Sequence, residues 1–477
     1  CRSAMTAQGG ALRSAWLRAP PQSRRAIFPM CYGPAFQRAF ASGARVVRYD
    51  LEGCASHYLV NTTVTIPAGA SLLGPGDGTA YPLGIITTAA VDTFAIGGGQ
   101  WAITNVRIRH DAASGMVINA GASSYGTISH NAILGTNAAN VQPLVQTIGS
   151  LVTAEQNTFT NNRVDAYSYV IDGPGITAPI VHRLLGNNFG GPGKGISIGS
   201  TSRQTRPEGV YLANNHCFLT NVCLLVTSIN DLRSVSNTYD IGGDNQVVLS
   251  AIGQGIDLVS FTDDYFSTLY QGAARLNGVC LQVTGPVARL TVKSKFAYCG
   301  YGVSSTDGLA SQMTVGSTFI NAANIALNLQ KVKGLTLTGN ICTGCAYNFI
   351  LADGDAGGPY VVNENQWDPS GAIGLTQSAS SKFRFGAGNT GIALAGYSAA
   401  TTGTMATGAT CVSVGIGHGL AGSPNLDKTT LSARVASGTM TGVSATVVSA
   451  DAGSIVAQVC ANVSVAGTVR VTANASM

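Results

Sequence analysis

Two neighbouring stretches of the chain concentrate the side chains best suited to chemistry. The first holds Asp165, Tyr167, Tyr169 and Asp172, and the second holds Lys194, Arg203, Arg206 and Glu208. Two carboxyl groups can act as general acid and general base when their surroundings hold them in different protonation states. Asp165 or Asp172 together with Glu208 is therefore the predicted acid/base pair, and Asp240 on the following turn is the reserve candidate.

The same stretches also offer groups that bind rather than react. If the first stretch is extended, Asp165, Tyr167 and Tyr169 share one face, because strand side chains alternate. Tyrosine faces can stack on ligand rings, and Arg203 and Arg206 can hold acidic groups through paired hydrogen bonds. For any one of these residues, the alternative is a solvated loop surface without a ligand.

A repeated phrase in the middle of the chain must position these stretches. It reads roughly apolar-x-Asn-x-aromatic, and ten copies occur: Asn131-Ala132-Ile133, Asn157-Thr158-Phe159, Asn187-Asn188-Phe189, Asn215-His216-Cys217, Asn237-Thr238-Tyr239, Asp263-Asp264-Tyr265, Ser294-Lys295-Phe296, Ser317-Thr318-Phe319, Asn340-Ile341-Cys342 and Asn365-Gln366-Trp367. Their first positions are spaced by 26, 30, 28, 22, 26, 31, 23, 23 and 25 residues. The two stretches lie in the copies of 30 and 28 residues, as neighbouring insertions that can wall a groove.

A unit of about 22–25 residues with occasional insertions predicts one turn of a parallel β-helix, made of three short strands and three bends. A leucine-rich repeat has a similar length, but its leucine pattern is missing, and an α-solenoid needs about 33 or more residues. Stacked turns lie about 4.8 Å apart, so each position faces its own copies. Stacked Asn amides can then donate and accept along a column, and Asn also tolerates a left-handed bend.

A second column is predicted two residues after the Asn position. Eight of the ten copies carry a large apolar residue there, and Cys217 and Cys342 interrupt the column. Asp263 is predicted to substitute for Asn in the first column, and Asp264 is predicted to pair with Lys295 on the next turn.

The ends of the chain differ from the repeat, which is predicted to span residues 46–395. Residues 1–49 contain eight Arg, no Lys and no acid, so residues 1–45 are predicted to be a basic arm that either docks on an acidic partner or stays solvated. Pro34–Ser42 has the apolar spacing of a helix that caps the first turn. Residues 396–477 alternate in short Gly-punctuated stretches, which predicts a small β-sandwich.

Composition narrows the class of protein. Only 10% of residues are charged, against about 25% in a typical domain, which favours an extracellular or virion β-structure. No apolar run is long enough for a transmembrane helix, no cofactor is predicted, and the arm lacks the basic and aromatic mixture of a nucleic-acid surface. The eleven Cys are irregularly spaced, so they predict buried small side chains rather than a metal site. Cys1 in place of Met indicates an incomplete or processed product.

The start of the repeat region carries a series of short motifs: Gly53, Tyr58-Leu59-Val60, Thr63-Val64-Thr65-Ile66-Pro67-Ala68-Gly69 and Leu73-Gly74-Pro75-Gly76. In these motifs the chain resembles the opening turns of the pectate-lyase-like superfamily. This resemblance implies an all-β fold, a right-handed single-stranded parallel β-helix of about 10–12 turns, and a protein that meets polysaccharide. The Gly415–Pro424 stretch is similar to a turn in C-terminal domains of phage tail fibres and tailspikes.

Within this resemblance, a bacteriophage tailspike or tail fibre protein is the preferred hypothesis, because a basic arm precedes the solenoid and a separate β-module follows it. It implies a homotrimer in the virion tail, with the arm held by phage tail or baseplate proteins and the solenoid facing host cell-surface polysaccharide. Two alternatives stay open. One is a secreted polysaccharide lyase or glycoside hydrolase, and the other is a non-enzymatic adhesin or structural spike.

Whether the chain is an enzyme is open at this level. Glycosidic hydrolysis requires two carboxyl groups about 5–5.5 Å apart for retention or about 6.5–9.5 Å apart for inversion, and adjacent turns can supply such a pair. Asp263-Asp264, one turn after Asn237-Thr238-Tyr239-Asp240, resembles the paired motifs of polygalacturonases. However, Tyr239 stands where that family has an Asp, and its Gly-His-Gly and Arg-x-Lys motifs are missing.

Overall fold

The computed structural model describes residues 6–7, 31–49, 57–75, 84–172, 179–199, 206–218, 221–240, 245–252, 255–270, 273–274, 276–305, 310–351, 360–375, 383–385, 389–391, 397–417, 429–450 and 454–475. The chain forms a parallel β-solenoid of about 11 turns with small antiparallel sheets near its C-terminus, which confirms the predicted all-β class and parallel β-helix. It divides into two compact units, residues 1–301 and residues 302–477.

Each turn of the first unit contributes up to three strands. First strands are Val46–Arg48, Ser71–Leu73, Trp101–Thr104, Gly126–Ser129, Val152–Glu155, Ile180–Leu185, Glu208–Ala213 and Ile229–Val235. Second strands are Cys31–Tyr32, Tyr58–Leu59, Ile85–Thr87, Arg107–His110, Ala132–Gly135, Thr158–Asn161, Asn188–Gly190, His216–Phe218 and Thr238–Asp240. Ile256–Ser267 and Val287–Ala297 run through both positions. Third strands are Val64–Ile66, Phe94–Ile96, Ile118–Asn119, Val145–Thr147, Tyr167–Asp172, Lys194–Gly199, Leu224–Val226, Asn245–Leu249 and Val279–Val283.

The remaining elements of the first unit are short. Thr6–Ala7 pairs antiparallel with Val47 and Arg48, and Leu269–Tyr270 forms a small hairpin with Ala273–Ala274. Helix Pro34–Ala41 confirms the predicted capping helix: the ring of Phe36 packs edge-on against Tyr49, with ring centroids 5.5 Å apart, and also against Tyr58. The helix therefore closes the end of the apolar core, which a solenoid requires.

The second unit contains further solenoid strands and a sandwich. Its solenoid strands are Ala310–Val315, Thr318–Ile320, Ile325–Leu329, Val332–Thr338, Ile341–Thr343, Tyr347–Leu351, Tyr360–Asn363, Ala372–Leu375 and Phe383–Phe385, and Tyr301–Ser305 lies at the boundary of the two units. Two three-stranded antiparallel sheets follow: Tyr397–Met405, Gly467–Ala475 and Thr430–Val435 in one, and Cys411–Gly417, Ser454–Val465 and Thr439–Ala450 in the other. Both sheets contribute to one buried core that includes Met405, Ile455 and Val471, which confirms the sandwich-like module.

The Asn column exists as predicted. The Oδ1 atom of Asn187 accepts hydrogen bonds from the backbone N–H and the side-chain Nδ2 of Asn157, at 3.0 and 2.9 Å. The Nδ2 group of Asn187 in turn donates to Asn215 Oδ1 and to the carbonyl of Ala154, both at 2.9 Å. In the first unit the same pattern links Asn131, Asn157, Asn187, Asn215, Asn237 and Asp264. We call this column the ladder.

Ladder residues are not themselves the left-handed residues. The positive φ belongs to the residue just before each of them, such as His130, Gln156, Asn214 and Ser236. The ladder amide therefore stabilises a bend that another residue makes. Its own role is to saturate buried backbone groups, which would otherwise cost about 1–3 kcal/mol each.

The predicted aromatic column is present with one correction. Phe159 and Phe189 stack with ring centroids 4.8 Å apart, but Tyr265 is not part of the column. Phe266 takes its place and stacks on Tyr239 at 5.1 Å and on Phe296 at 4.6 Å.

The same one-residue shift corrects the two aspartates. Asp264, not Asp263, occupies the ladder, and its Oδ1 accepts from the backbone N–H of Asn237 at 2.7 Å. Asp263 takes the preceding left-handed position. The physical reason is a register shift between Thr262 and Tyr265, which adds one residue to the bend.

The expectation that most cysteines are small buried side chains holds for six of the described ones, but these six are paired in disulfides, which was not predicted. The described residues include disulfides between Cys217 and Cys223, Cys280 and Cys299, Cys342 and Cys345, and Cys411 and Cys460. The first and third of these each join the two sides of a corner that follows a second strand. The bends of the solenoid bring these cysteines together, and the spacing of cysteines in the sequence does not reveal such pairs.

Candidate functional site

The first strands of three consecutive turns carry a groove of about 460 Å³ on their outer surface. These strands are Ile180–Leu185, Glu208–Ala213 and Ile229–Val235, and they pair in parallel. The groove is lined by Val181, Arg183, Leu185, Gly209, Val210, Tyr211, Asp231 and Arg233. We call it the first-strand groove.

The strand register sets the order of its polar groups. Arg183, Tyr211 and Arg233 are direct partners on neighbouring strands, so they stand side by side at steps of about 4.8 Å. All three side chains are exposed. The residue that follows in sequence points to the opposite face of the strand, so Leu212, directly after Tyr211, belongs to the core. The groove thus presents one aromatic ring between two guanidinium groups.

A missing side chain opens the floor of the groove. Val181, Gly209 and Asp231 occupy equivalent positions, and all three have a positive φ, of 56°, 69° and 72°. Gly209 is the only one of these three without a Cβ, and a Cβ built there would meet no atom closer than 3.6 Å. Val181 is a β-branched residue in a left-handed conformation, which costs about 1–3 kcal/mol. The equivalent residues Leu258 and Arg289 on later turns also have a positive φ, so this bend is a repeated feature of the first strands.

The charges in the groove are unequal. Arg233 donates from Nε and Nη2 to the two carboxylate oxygens of Asp231, each at 3.1 Å, and these hydrogen bonds raise the pKa of Arg233. Among the described residues, no carboxylate lies within 4.0 Å of the Arg183 guanidinium. Arg183 is therefore the group whose charge is available to a ligand.

A buried histidine supports the groove from inside. His182 lies between two lining residues and is fully buried, and its Nε2 lies 2.7 Å from the carbonyl oxygen of Gly149. Burial lowers its pKa from 6.5 to about 4, against a smaller opposing contribution from that hydrogen bond. The ring is therefore neutral at pH 7 and donates to Gly149 from Nε2.

Of the predicted catalytic residues, Glu208 lies beside the groove, next in sequence to a lining residue, but does not line it. It is exposed at the first position of its strand, immediately before Gly209. Asp172 is the last residue of a third strand and pairs with Gly199, the last residue of the third strand one turn later. Glu208 is the first residue of a first strand and pairs with Ile180, the first residue of the first strand one turn earlier. Asp172 and Glu208 therefore flank the same kind of corner on adjacent turns, while the insertions between these strands lie outside the described residues.

Asp165 and Asp240 lie at a different corner. Asp165 is exposed in the turn between a second and a third strand, and its carboxylate is 3.8 Å from Lys194 Nζ. Asp240 ends a second strand three turns further on. The structure thus brings neither of them to the corner that holds Glu208.

The predicted binding residues separate in the same way. Tyr169 is fully buried and packs edge-on against Phe159 with ring centroids 6.2 Å apart, so the prediction that it contacts a ligand is wrong. Strict alternation fails here because Ser168 and Tyr169 are both buried at the start of the third strand. Tyr167 is half-buried, with Lys194 Nζ 5.6 Å from its ring centroid.

The two predicted arginines flank the start of the Glu208 strand. Arg206 is half-buried two residues before Glu208 and lies near enough to Asp257 to help lower the pKa of that carboxyl, after the larger effect of its hydrogen bonds from Arg289. Arg203 lies outside the described residues. In the described part of the chain, no group of three or more His, Cys, Asp or Glu side chains could hold a metal ion.

The sequence analysis missed Arg183, Tyr211, Asp231 and Arg233. A usable signal was present, because each outward position lies a fixed count before a ladder residue. Arg183, Tyr211 and Arg233 all stand four residues before Asn187, Asn215 and Asn237. Counting back four residues from Asn131, Asn157, Asn187, Asn215 and Asn237 therefore locates the outer surface of the first strands that precede them.

No protein-family model matches the sequence, and no curated protein matches it. Among solved structures, a mutant tailspike protein of E. coli bacteriophage HK620 in complex with pentasaccharide is 11% identical, with a TM-score of 0.53, and the match covers 93% of this chain and 88% of that one. The Gp54 tailspike of Acinetobacter baumannii bacteriophage AP22, in complex with capsular saccharide, is 8% identical with a TM-score of 0.43, covering 94% and 96%. Of the described residues, no helix is long and apolar enough to cross a membrane. The similarity to the HK620 protein shows that this chain shares the β-solenoid fold of a phage tailspike.

Proposed function

We propose that this chain is a phage tailspike that recognises host cell-surface polysaccharide through the first-strand groove. The observation that carries the proposal is the row of Arg183, Tyr211 and Arg233 over an open floor. An exposed aromatic face can stack on a sugar ring, and the guanidinium groups can bind its polar substituents. The shared fold with a tailspike that was solved with a pentasaccharide supports the same proposal.

Several properties of a virion protein belong to this proposal. The disulfides in the described part of the chain suit a protein that works outside a reducing cytosol. The cluster of eight Arg in residues 1–49 suits an arm that docks on acidic surfaces of phage tail or baseplate proteins. As a tailspike, the chain would be a homotrimer, with the arm toward the tail and the groove toward the host.

Binding to immobilised bacterial capsular and O-antigen polysaccharides tests the proposal. The full chain should bind at least one of them, and Tyr211→Ala should weaken that binding at least tenfold. Tyr347→Ala is the matched control, because Tyr347 is exposed to a similar degree, 41% against 36% for Tyr211, and lies outside the groove. Equal loss in both variants, or no loss in either, would count against the groove as the binding site.

Depolymerisation of the bound polysaccharide is a second candidate function, favoured by one observation. Glu208 presents an exposed carboxylate beside the groove, with Asp172 at the corresponding corner of the preceding turn. In this proposal Glu208 serves as general acid or base and Asp172 is its partner. The reaction would be hydrolysis or elimination of the glycosidic bond. A secreted polysaccharide-degrading enzyme would catalyse the same reaction.

Oligosaccharide release separates an enzyme from an adhesin or structural spike. Incubation with a bound polysaccharide should release fragments, and Glu208→Gln should abolish release while binding is retained. Glu364→Gln, an exposed glutamate in the second unit, should leave release unchanged. A polymer that is retained intact by the unaltered chain would identify a binder.

A further inference from the structure

We infer that the first-strand groove selects polysaccharides whose repeating unit carries an anionic group, and that Arg183 binds this group. The inference rests on the proposed function, since it names the class of polysaccharide that the same groove would recognise. It goes further by assigning different roles to two arginines that stand two turns apart on one surface.

The first step is the charge balance of the groove. The Arg233 guanidinium uses Nε and Nη2 on both carboxylate oxygens of Asp231, so this pair is close to neutral as a unit. Arg183 is exposed and has no carboxylate within 4.0 Å among the described residues. The lining residues therefore carry one net positive charge, and it is located on the Arg183 strand.

The second step is the geometry around that charge. Arg183 and Tyr211 are direct strand partners, so the guanidinium stands about 4.8 Å along the solenoid from the tyrosine. A sugar ring stacked on Tyr211 would place a ring substituent within reach of Arg183. A planar guanidinium binds carboxylate or phosphate through two parallel hydrogen bonds, which a neutral hydroxyl cannot match.

The third step is the apolar boundary of the groove near Arg183. Val181 and Leu185 line the groove on the same strand, on the two sides of Arg183, and both are only partly exposed. Apolar neighbours exclude water and strengthen the attraction between a guanidinium and an anion. In contrast, Arg233 has Asp231 beside it, so an anion placed there would meet a like charge.

The fourth step is the orientation that the carboxylate of Glu208 imposes. Glu208 lies three residues before Tyr211 on the same strand, which corresponds to about 10 Å along an extended chain. An anionic substituent is repelled from that end and attracted toward Arg183. The anionic groups are thus expected beside Tyr211 on the Arg183 strand, away from the start of the Glu208 strand.

Binding to a panel of purified capsular and O-antigen polysaccharides tests the inference, with anionic and neutral members and a carboxyl-reduced form of each uronic-acid-containing member. We expect the full chain to bind one or more anionic members, and carboxyl reduction or Arg183→Ala to lower affinity at least tenfold. Lys333→Ala removes one positive charge at an exposed position of the second unit and should leave affinity unchanged. Circular dichroism and the melting temperature verify that each variant is folded.

The outcomes separate the inference from the function on which it rests. Binding to neutral members alone, or to anionic members with no effect of Arg183→Ala, would overturn the inference and leave polysaccharide recognition intact. An equal effect of Arg183→Ala and Lys333→Ala would also overturn it, because overall charge would then explain the result. No binding to any member of the panel would overturn the proposed function and the inference together.

Discussion

The inner and outer faces of the same first strands follow different rules. On the inner face, neighbouring turns repeat the same kind of residue, as in Val152, Val210 and Leu232, with His182 as the exception. On the outer face, the partners Thr153, Arg183, Tyr211 and Arg233 change from a hydroxyl to a guanidinium, an aromatic ring and a guanidinium again. The comparison teaches that stacking constrains the buried side of a solenoid turn and leaves the exposed side available for recognition.

The largest effect is expected from breaking the ladder, which lies in the buried bend between the first and second strands. Asn187→Ala removes the acceptor of two hydrogen bonds from Asn157 and the side-chain donor to the carbonyl of Ala154. Oδ1 of Asn215 also loses one of its two donors and keeps the backbone N–H at position 187. Buried groups left without partners cost about 1–3 kcal/mol each, so we expect a loss of about 4 kcal/mol in the free energy of unfolding. The measurement is urea-induced unfolding of the full chain.

Asn188→Ala is the matched control for that substitution. Asn188 follows directly in sequence but its side chain is exposed, and exposed substitutions usually change stability by less than about 0.5 kcal/mol. Similar losses of stability in the two variants would mean that the hydrogen bonds of the ladder do not stabilise the solenoid.

The next effect is expected from His182, the polar exception on the inner face. Its pKa is about 4 in the folded chain against 6.5 when exposed, so its contribution to stability is complete above pH 6.5 and is lost as the pH falls toward 4. The difference corresponds to somewhat over 3 kcal/mol. His182→Gln should flatten the fall in stability between pH 6.5 and 4, measured by urea unfolding at several pH values. An unchanged pH profile would contradict the neutral, buried state of this ring.

Asp264 places a carboxyl group in a column of amides, and its effect on stability should depend on pH in the opposite sense to that of His182. Burial raises its pKa from 3.8 to about 6, against the lowering effect of hydrogen bonds from Asn237. The protonated form is thus favoured by folding, and this contribution is present below pH 3.8 and lost as the pH rises through 6. Asp264→Asn should stabilise the chain at pH 7 by about 3 kcal/mol and much less at pH 4. A gain of equal size at both pH values would rule out titration as the cause.

The smallest effect on stability, with a clear effect on binding, is expected at Gly209 on the outer face. Asn tolerates the left-handed conformation, and the space above Gly209 admits a Cβ. Gly209→Asn should therefore fill the floor of the groove, change stability by less than about 1 kcal/mol, and lower polysaccharide affinity at least tenfold. Retained affinity in a folded variant would show that the ligand does not reach this floor.

The same contrast explains what the sequence could predict. The ladder and the stacked rings were visible because Asn recurs at one position of most turns, as at Asn157 and Asn187, and a large apolar residue such as Phe189 recurs two residues later. The shift at Asp264 was not visible, because two adjacent aspartates fit either register and only the bulge decides between them. The parallel solenoid thus followed from buried, repeated residues.

The candidate site was harder to predict for a physical reason. Arg183, Tyr211 and Arg233 form a row only once the strands are in register, and neighbouring turns carry different residue types at this position. Tyr169 was misplaced because alternation fails where a strand leaves a corner. The carboxylates were assigned by insertion length, which located Glu208 near the groove but could not distinguish its corner from that of Asp165.

The ladder also has a direction. In each link from Asn131 to Asp264, the side-chain amide N–H points toward the following turn and the oxygen toward the preceding one. Five amide dipoles are therefore aligned head to tail, and hydrogen bonds in such a chain polarise one another. Their positive ends converge on the carboxyl group of Asp264, much as the backbone dipoles of a helix converge at its N-terminus. A change of charge at that carboxyl should therefore alter the polarisation of side-chain amides several turns away, through the hydrogen-bonded column inside the protein.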